Sequence, residues 1–95
     1  MSLPEKTRRE LRARGHALKP VVSIGNAGLS EAVVRELNLS LEHHELMKIR
    51  IAGAGREQRR QMITQLCERL GAELVQAVGH VALIYRKNPE KDSAD

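Results

Sequence analysis

Apolar positions recur along this chain in two rhythms, one of period near 3.6 and one of period two. Thr7, Leu11, Gly15 and Leu18 share one helical face among charged neighbours. Pro4 suits a first helical turn and Pro20 cannot continue a helix, so residues 5–18 are predicted helical. Gly15 weakens that helix by about 1 kcal/mol relative to Ala, so its place on the apolar face suggests close packing. Val21–Ile24 reads as a short strand. Val33, Val34, Leu37 and Leu41 return to helical spacing behind Ser30, an apt N-cap, and predict a helix over residues 30–42. "LMKIRIA", residues 46–52, alternates, with Met47, Ile49 and Ile51 on one face and Lys48 and Arg50 on the other. Met62, Ile63, Leu66 and Leu70 mark a third helix over residues 56–70, stopped by Gly71. "ELVQAV" and "VALIYR" form a hairpin across Gly79 and His80. From residue 88 the apolar pattern ceases, and "NPEKDSAD" is expected to be a disordered acidic tail beyond a domain of residues 1–87.

The order is therefore α-β-α-β-α-β-β. A helix between the first two strands makes a parallel, right-handed crossover the expectation, and the hairpin adds two antiparallel strands. The predicted fold class is α/β, a single compact domain with a four-stranded mixed sheet and three helices.

Between the first strand and second helix lies "SIGNAGLSEA", with Gly25 and Gly28 bracketing Asn26 and Ala27. Two glycines at a strand-to-helix hinge serve either a turn or a close approach of something to the backbone. A parallel second strand would deliver "GAGR", residues 53–56, to the same sheet end, with Arg56, Arg59 and Arg60 opening the third helix there. Helix N-termini offer unpaired N–H groups and partial positive charge to anions. In α/β sheets, ligands bind outside the carboxyl ends of parallel strands. On the first helix, Arg8, Arg12, His16 and Lys19 follow one flank, with Arg9 beside them. If that helix runs back along the first strand, Arg8, Arg9 and Arg12 come close to the glycine loop.

Charge sharpens this picture. The 95 residues carry 16 Lys and Arg against 12 Asp and Glu, a net +4, while the last eight residues are net negative and the body is more basic than the whole. A polyanionic partner or a merely solubilised surface would each fit. Tyr85 is the only aromatic side chain of the Phe, Trp and Tyr class. Base stacking on aromatic platforms is thereby nearly excluded, and a nucleic acid would have to be held by backbone and shape, as the GXXG loop of KH domains clamps nucleotides. A single cysteine, Cys67, forms no internal disulfide and suits a reducing, cytoplasmic setting. No apolar run reaches membrane-spanning length, and the charged N-terminus does not read as a signal peptide.

With these residues in place, "LKPVVSIGNAGLSEAVVRELNLSLEHHELMKIRIAG" and "GAELVQAVGHVALIYRKN" resemble the CRM (chloroplast RNA splicing and ribosome maturation) domain, and in particular its free-standing bacterial YhbY-type form. The resemblance spans roughly residues 3–88. It includes the GNxG loop at Gly25, Asn26, Ala27 and Gly28, together with "LEHHELMK" and "LIYR". It implies a fold similar to the C-terminal domain of translation initiation factor three. It also implies RNA binding through the GNxG loop and adjoining basic surface, with the bacterial form associating with precursors of the large ribosomal subunit. Plant relatives hold several copies within splicing factors, whereas one copy here favours ribosome assembly.

Other residues invite chemistry less well. Adjacent His43 and His44 point about 100° apart on a helix and lack metal-motif spacing, so a helix-terminal role is preferred. Cys67 reads as an inert, partly buried thiol, Glu42 and Glu45 as solvated carboxylates, and Tyr85 as a packing residue. Lys48 and Arg50 form either a solvated face or an extension of an RNA surface. The expectation is a monomeric, non-catalytic RNA-binding protein with ribosomal RNA as partner and no metal, cofactor or small-molecule substrate. The rival is an adaptor whose basic edge docks an acidic protein.

Overall fold

The computed structural model describes residues 3–25, 29–52 and 55–87. The elements follow the expected order: α1 (Glu5–Gly15), β1 (Val22–Ile24), α2 (Glu31–His44), β2 (Leu46–Ile51), α3 (Arg56–Leu70), β3 (Glu73–Val78) and β4 (Val81–Tyr85). The four strands form one mixed sheet in the order β1-β2-β4-β3. β1 is parallel to β2, with Val22 opposite Ile49 and Ile24 opposite Ile51. β4 pairs antiparallel with both β2 and β3, with a register shift between Leu74 and Gln76. The expected acidic tail, residues 88–95, lies outside the described residues.

The period-two pattern of β2 divides the core. Met47, Ile49 and Ile51 face α2 and α3, and join Ile24, Leu37, Leu41, Ile63, Leu66, Leu70, Ala82 and Ile84 in the larger cluster. The opposite sheet face carries a smaller cluster of Leu11, Leu46, Val75 and Leu83, flanked by Leu3 and Tyr85. Tyr85 is thus the packing residue expected. The domain has three layers: α1, the sheet, and the α2–α3 pair.

α1 ends at Gly15, three residues earlier than its periodicity suggested. Ala17 N–H donates to Arg14 O and Leu18 N–H to Gly15 O, so the chain tightens into three-residue turns there. Pro20 favours extended geometry at Lys19 and closes off further helix. Gly15 itself is buried against β4: a Cβ on it would fall 2.5 Å from Leu83 Cδ2 and 3.0 Å from Cδ1. At the other helix ends, Ser30 Oγ accepts from Val33 N–H at 3.2 Å, and Gly71 ends α3 at φ 65°, where the missing Cβ relieves left-handed strain.

Arg86 fastens the α2–α3 layer to the end of β4. Its guanidinium donates to Asn38 Oδ1 at 2.6 Å, Asn38 O at 3.1 Å and Leu70 O at 2.9 Å. The Leu70 bond meets the electronegative end of α3. The Arg86 N–H also donates to Glu45 O at 2.8 Å, holding the one-residue link between α2 and β2. Glu45 sits there at φ 59°, a conformation uncommon for a residue with a side chain.

Cys67 is half-buried against the larger cluster, and its thiol is pushed up from 9.0 to about 11, first by burial and then by the nearby Glu73 carboxylate. A thiol that holds its proton more tightly when folded adds stability below its unfolded value. That contribution is lost as pH rises through the folded value.

Three outcomes follow from this packing. Gly15→Ala should lower stability by about 1 kcal/mol in urea denaturation, because overpacking against Leu83 of about 1–3 kcal/mol exceeds the helix-propensity gain of about 1 kcal/mol. Arg86→Ala should cost about 2–3 kcal/mol in the same assay by leaving carbonyls of Asn38 and Leu70 without their charged donor. At pH 8, alkylation of Cys67 in the folded protein should run about a hundredfold slower than in the unfolded chain, the thiolate fraction falling tenfold per unit.

Candidate nucleic-acid interface

The parallel crossovers bring the carboxyl ends of β1 and β2 to one end of the sheet. Ala52 N–H donates to Ile24 O at 2.8 Å, tying the exits of both strands together. Gly25 leaves β1 at this end, and Gly55 enters α3 there. The β3–β4 turn arrives beside them: Ile51 N–H donates to His80 O at 2.7 Å, and His80 Nδ1 lies 3.0 Å from Ile51 O. A carbonyl only accepts, so Nδ1 carries the proton in that bond. His80 is therefore a clamp that sets the hairpin turn against the loop end. Sequence reasoning used it only as a turn residue, since a bond between positions 29 apart leaves no local signal.

The two helix N-termini at this end differ. On α2, Ser30 occupies one first-turn N–H, and Glu31 places a carboxylate beside the dipole, paired with Arg69 of α3 at 2.5 Å. On α3, the N-cap is Gly55, which has no side chain to satisfy the first-turn N–H groups. Arg56, Arg59 and Arg60 line an open cavity of about 620 Å³ with Ile63, Thr64, Leu74, Ala77 and Gly79. Arg60 makes a loose, exposed pair with Glu57 at 3.8 Å, of the kind that holds little energy and readily exchanges partners. The α3 terminus is thus the stronger anion-attracting end.

Of the four loop residues, Gly25 is described; Asn26, Ala27 and Gly28 lie outside the described residues. Gly25 is exposed, and a Cβ on it would have no neighbour within 4 Å. The described glycines with positive φ are Gly71 and Gly79, so neither Gly25 nor Gly55 is required by left-handed backbone. Packing within the domain does not demand a glycine at either place.

The first helix departs from expectation. α1 does not run back along β1. It crosses the sheet near the starts of β3 and β2, and Arg8 donates to Leu74 O at 2.7 Å and Val75 O at 3.2 Å on β3. β3 and β1 are opposite edges of the sheet, three strand spacings or about 14 Å apart. Arg8 is consequently distant from Gly25 and instead covers carbonyls of an edge strand. Arg12 is half-buried and pairs with Glu5 at 3.4 Å, on the same helix. Arg9 is exposed on that helix too, and Lys19 lies past its end in a groove with Arg14, Leu18, Val21 and His44. The structure therefore puts Gly25 and the start of α3 at the same end of the sheet, with Arg56, Arg59 and Arg60 over its β3 side, and leaves Arg8, Arg9, Arg12 and Lys19 elsewhere. The physical reason is that α1 must cover the small cluster around Leu83 and Val75, which three-residue β1 cannot offer.

No helix among the described residues is long and apolar enough to cross a membrane. His43 and His44 occupy the last turn of α2, both exposed, with ring centroids 6.4 Å apart.

Comparison with known proteins places this geometry in context. A Pseudomonas aeruginosa protein named a probable RNA-binding protein is 41% identical over 90 residues, covering 95% of this chain and 86% of the relative. A Haemophilus influenzae protein named an RNA-binding protein is 38% identical over 89 residues, covering 94% and 90%. The solution structure of a hypothetical protein from Staphylococcus aureus superposes with a TM-score of 0.80 at 30% identity, covering 92% of this chain and 91% of that one. The CRS1 / YhbY (CRM) domain model matches residues 3–86. With nearly its whole length matched, the chain belongs to the CRS1 / YhbY (CRM) domain family.

Proposed function

We propose that this protein is a non-catalytic RNA-binding protein. It holds structured ribosomal RNA at the sheet end built from Gly25–Gly28, the N-terminus of α3 and Arg56, Arg59 and Arg60, and it acts in assembly of the large ribosomal subunit. The observation that carries this reading is that one sheet end holds two glycines, Gly25 and Gly55, which the fold itself does not require, and three arginines in the first turns of the uncapped helix that Gly55 opens. A sugar-phosphate backbone can approach a peptide that lacks Cβ atoms, and N–H groups with guanidinium partners then bind its oxygens. The family and the names of the relatives support RNA as the polyanion. The chain's one aromatic of the Phe, Trp and Tyr class, Tyr85, is partly buried against the smaller apolar cluster, which favours contact by charge and shape over base stacking.

On this reading Arg8 is a strand-edge anchor, and its loss would be felt first in stability. Arg56, Arg59 and Arg60 make the phosphate contacts. The single loop with its charged flank suits affinity for RNA shape, while sequence choice comes from the RNA's own fold.

The test separates the loop's two possible purposes. Gly25→Val should leave thermal unfolding within about 0.5 kcal/mol of the parent, as exposed changes do, and Asn26→Asp with Ala27→Asp is made separately, its fold checked first by circular dichroism. Both should sharply weaken binding to a large-subunit ribosomal RNA fragment in gel-shift titrations. Folded variants that bind like the parent would make the loop a simple turn. Co-sedimentation with large-subunit precursors, present for the parent and absent for the variants, would carry the assembly role.

A further inference from the structure

We propose that the sheet face beside α1 is a second phosphate-binding surface for the same RNA, centred on Lys48 and extended by Arg14, Lys19 and Arg50; it rests on the RNA-binding reading above. α1 covers only part of its side of the sheet, leaving the row Ser23, Arg50, Val81 and Val78 beyond the helix, in register across β1, β2, β4 and β3. Ser23, Arg50 and Val78 in that row are exposed. A lysine and an arginine on β2, a strand interior to the sheet, are unusual unless that face is wet or used.

Two grooves meet at Lys48. One, of about 350 Å³, is lined with Arg14, Leu18, Lys19, Val21, His44, Leu46 and Met47. The other, of about 380 Å³, includes His16, Gln76 and Val78. Neither lining contains an aspartate or glutamate. Several other cations are engaged: Arg8 on β3 carbonyls, Arg12 on Glu5, Arg69 on Glu31, Arg86 on Asn38 and Leu70. Among the described residues, no ion pair or hydrogen bond occupies the side chains of Arg14, Lys19, Lys48 or Arg50. Three such cations, Arg14, Lys19 and Lys48, along concave grooves whose linings hold no carboxylate, with Arg50 exposed two residues further along β2, suit a polyanion.

The surface is continuous with the loop end. Ser23 precedes Gly25 by two residues, and Val78 and Val81 border the Gly79–His80 turn. From the loop end of β2 at Ile51 to Lys48 is about 10 Å, so one RNA backbone leaving the glycine loop can pass Arg50 and reach Lys48. The occupant is therefore the RNA already proposed at the loop, held at two places by charge.

Gel-shift titrations at several salt concentrations test this with a structured large-subunit ribosomal RNA fragment. Arg14→Gln with Lys48→Gln should weaken binding about tenfold and flatten the logarithmic salt slope by about 1.4–1.8, at 0.7–0.9 per lost phosphate contact. Lys48→Arg should bind like the parent. If the Gln pair does not fold, Arg14→Gln with Lys19→Gln, both at exposed positions, reads the same groove with the same expected flattening. Unchanged affinity and slope in a folded pair, while the Asn26→Asp, Ala27→Asp variant binds poorly, would overturn this surface and leave the loop reading intact. A parent that does not bind the RNA would overturn both. Loss of binding to polyglutamate with RNA binding unchanged would assign the surface to an acidic protein and likewise overturn the proposal.

Discussion

The parallel pairing of β1 with β2 is the constraint on which the candidate interface depends. Only three residues of β1 take part, yet their register fixes where two crossovers end. Because both strands point the same way, both of their exits and both following helix N-termini lie at one end of the sheet. An antiparallel pairing would have sent the glycine loop and the arginines of α3 to opposite ends. The hairpin turn is then clamped to that end through His80 and Ile51. The chemistry at the loop end is thus a consequence of strand direction more than of any single residue.

Much of this was legible in the chain. The alternation of Met47, Ile49 and Ile51 with Lys48 and Arg50 correctly marked the two faces of β2. Ser30 and Gly71 marked helix ends through local chemistry, one by accepting an N–H and the other by tolerating positive φ. Gly15 on an apolar face signalled a close approach, which Leu83 supplies. Each of these signals is carried by residues near one another in sequence.

What the chain did not reveal was set by distant partners. The course of α1 depends on where the second apolar cluster forms, and Val75 and Leu83 belong to the last hairpin. A helix-then-strand connection suggested that α1 would retrace β1; the burial of Leu11 beside those residues instead turns it across the sheet. Arg8 went with it, to carbonyls 66 and 67 positions away. Arg86 belongs to the same class. Within "LIYR" it looked like part of a family signature, but its guanidinium joins α2 to the end of α3. Basic side chains in this small domain therefore divide into structural donors and solvent-facing groups, a division that composition cannot make.

If RNA meets the protein at the carboxyl ends of β1 and β2, the backbone amides there report it. The most direct measurement is a nuclear magnetic resonance titration of the isotopically labelled protein with a large-subunit ribosomal RNA fragment, following each backbone amide. The predicted result is that shifts at Gly25, Ser30, Gly55, Arg56 and His80 are among the largest and saturate together. Perturbation confined to the outer faces of α2 and α3, around Arg35, Leu39 and Glu68, with the loop-end amides unmoved, would contradict it.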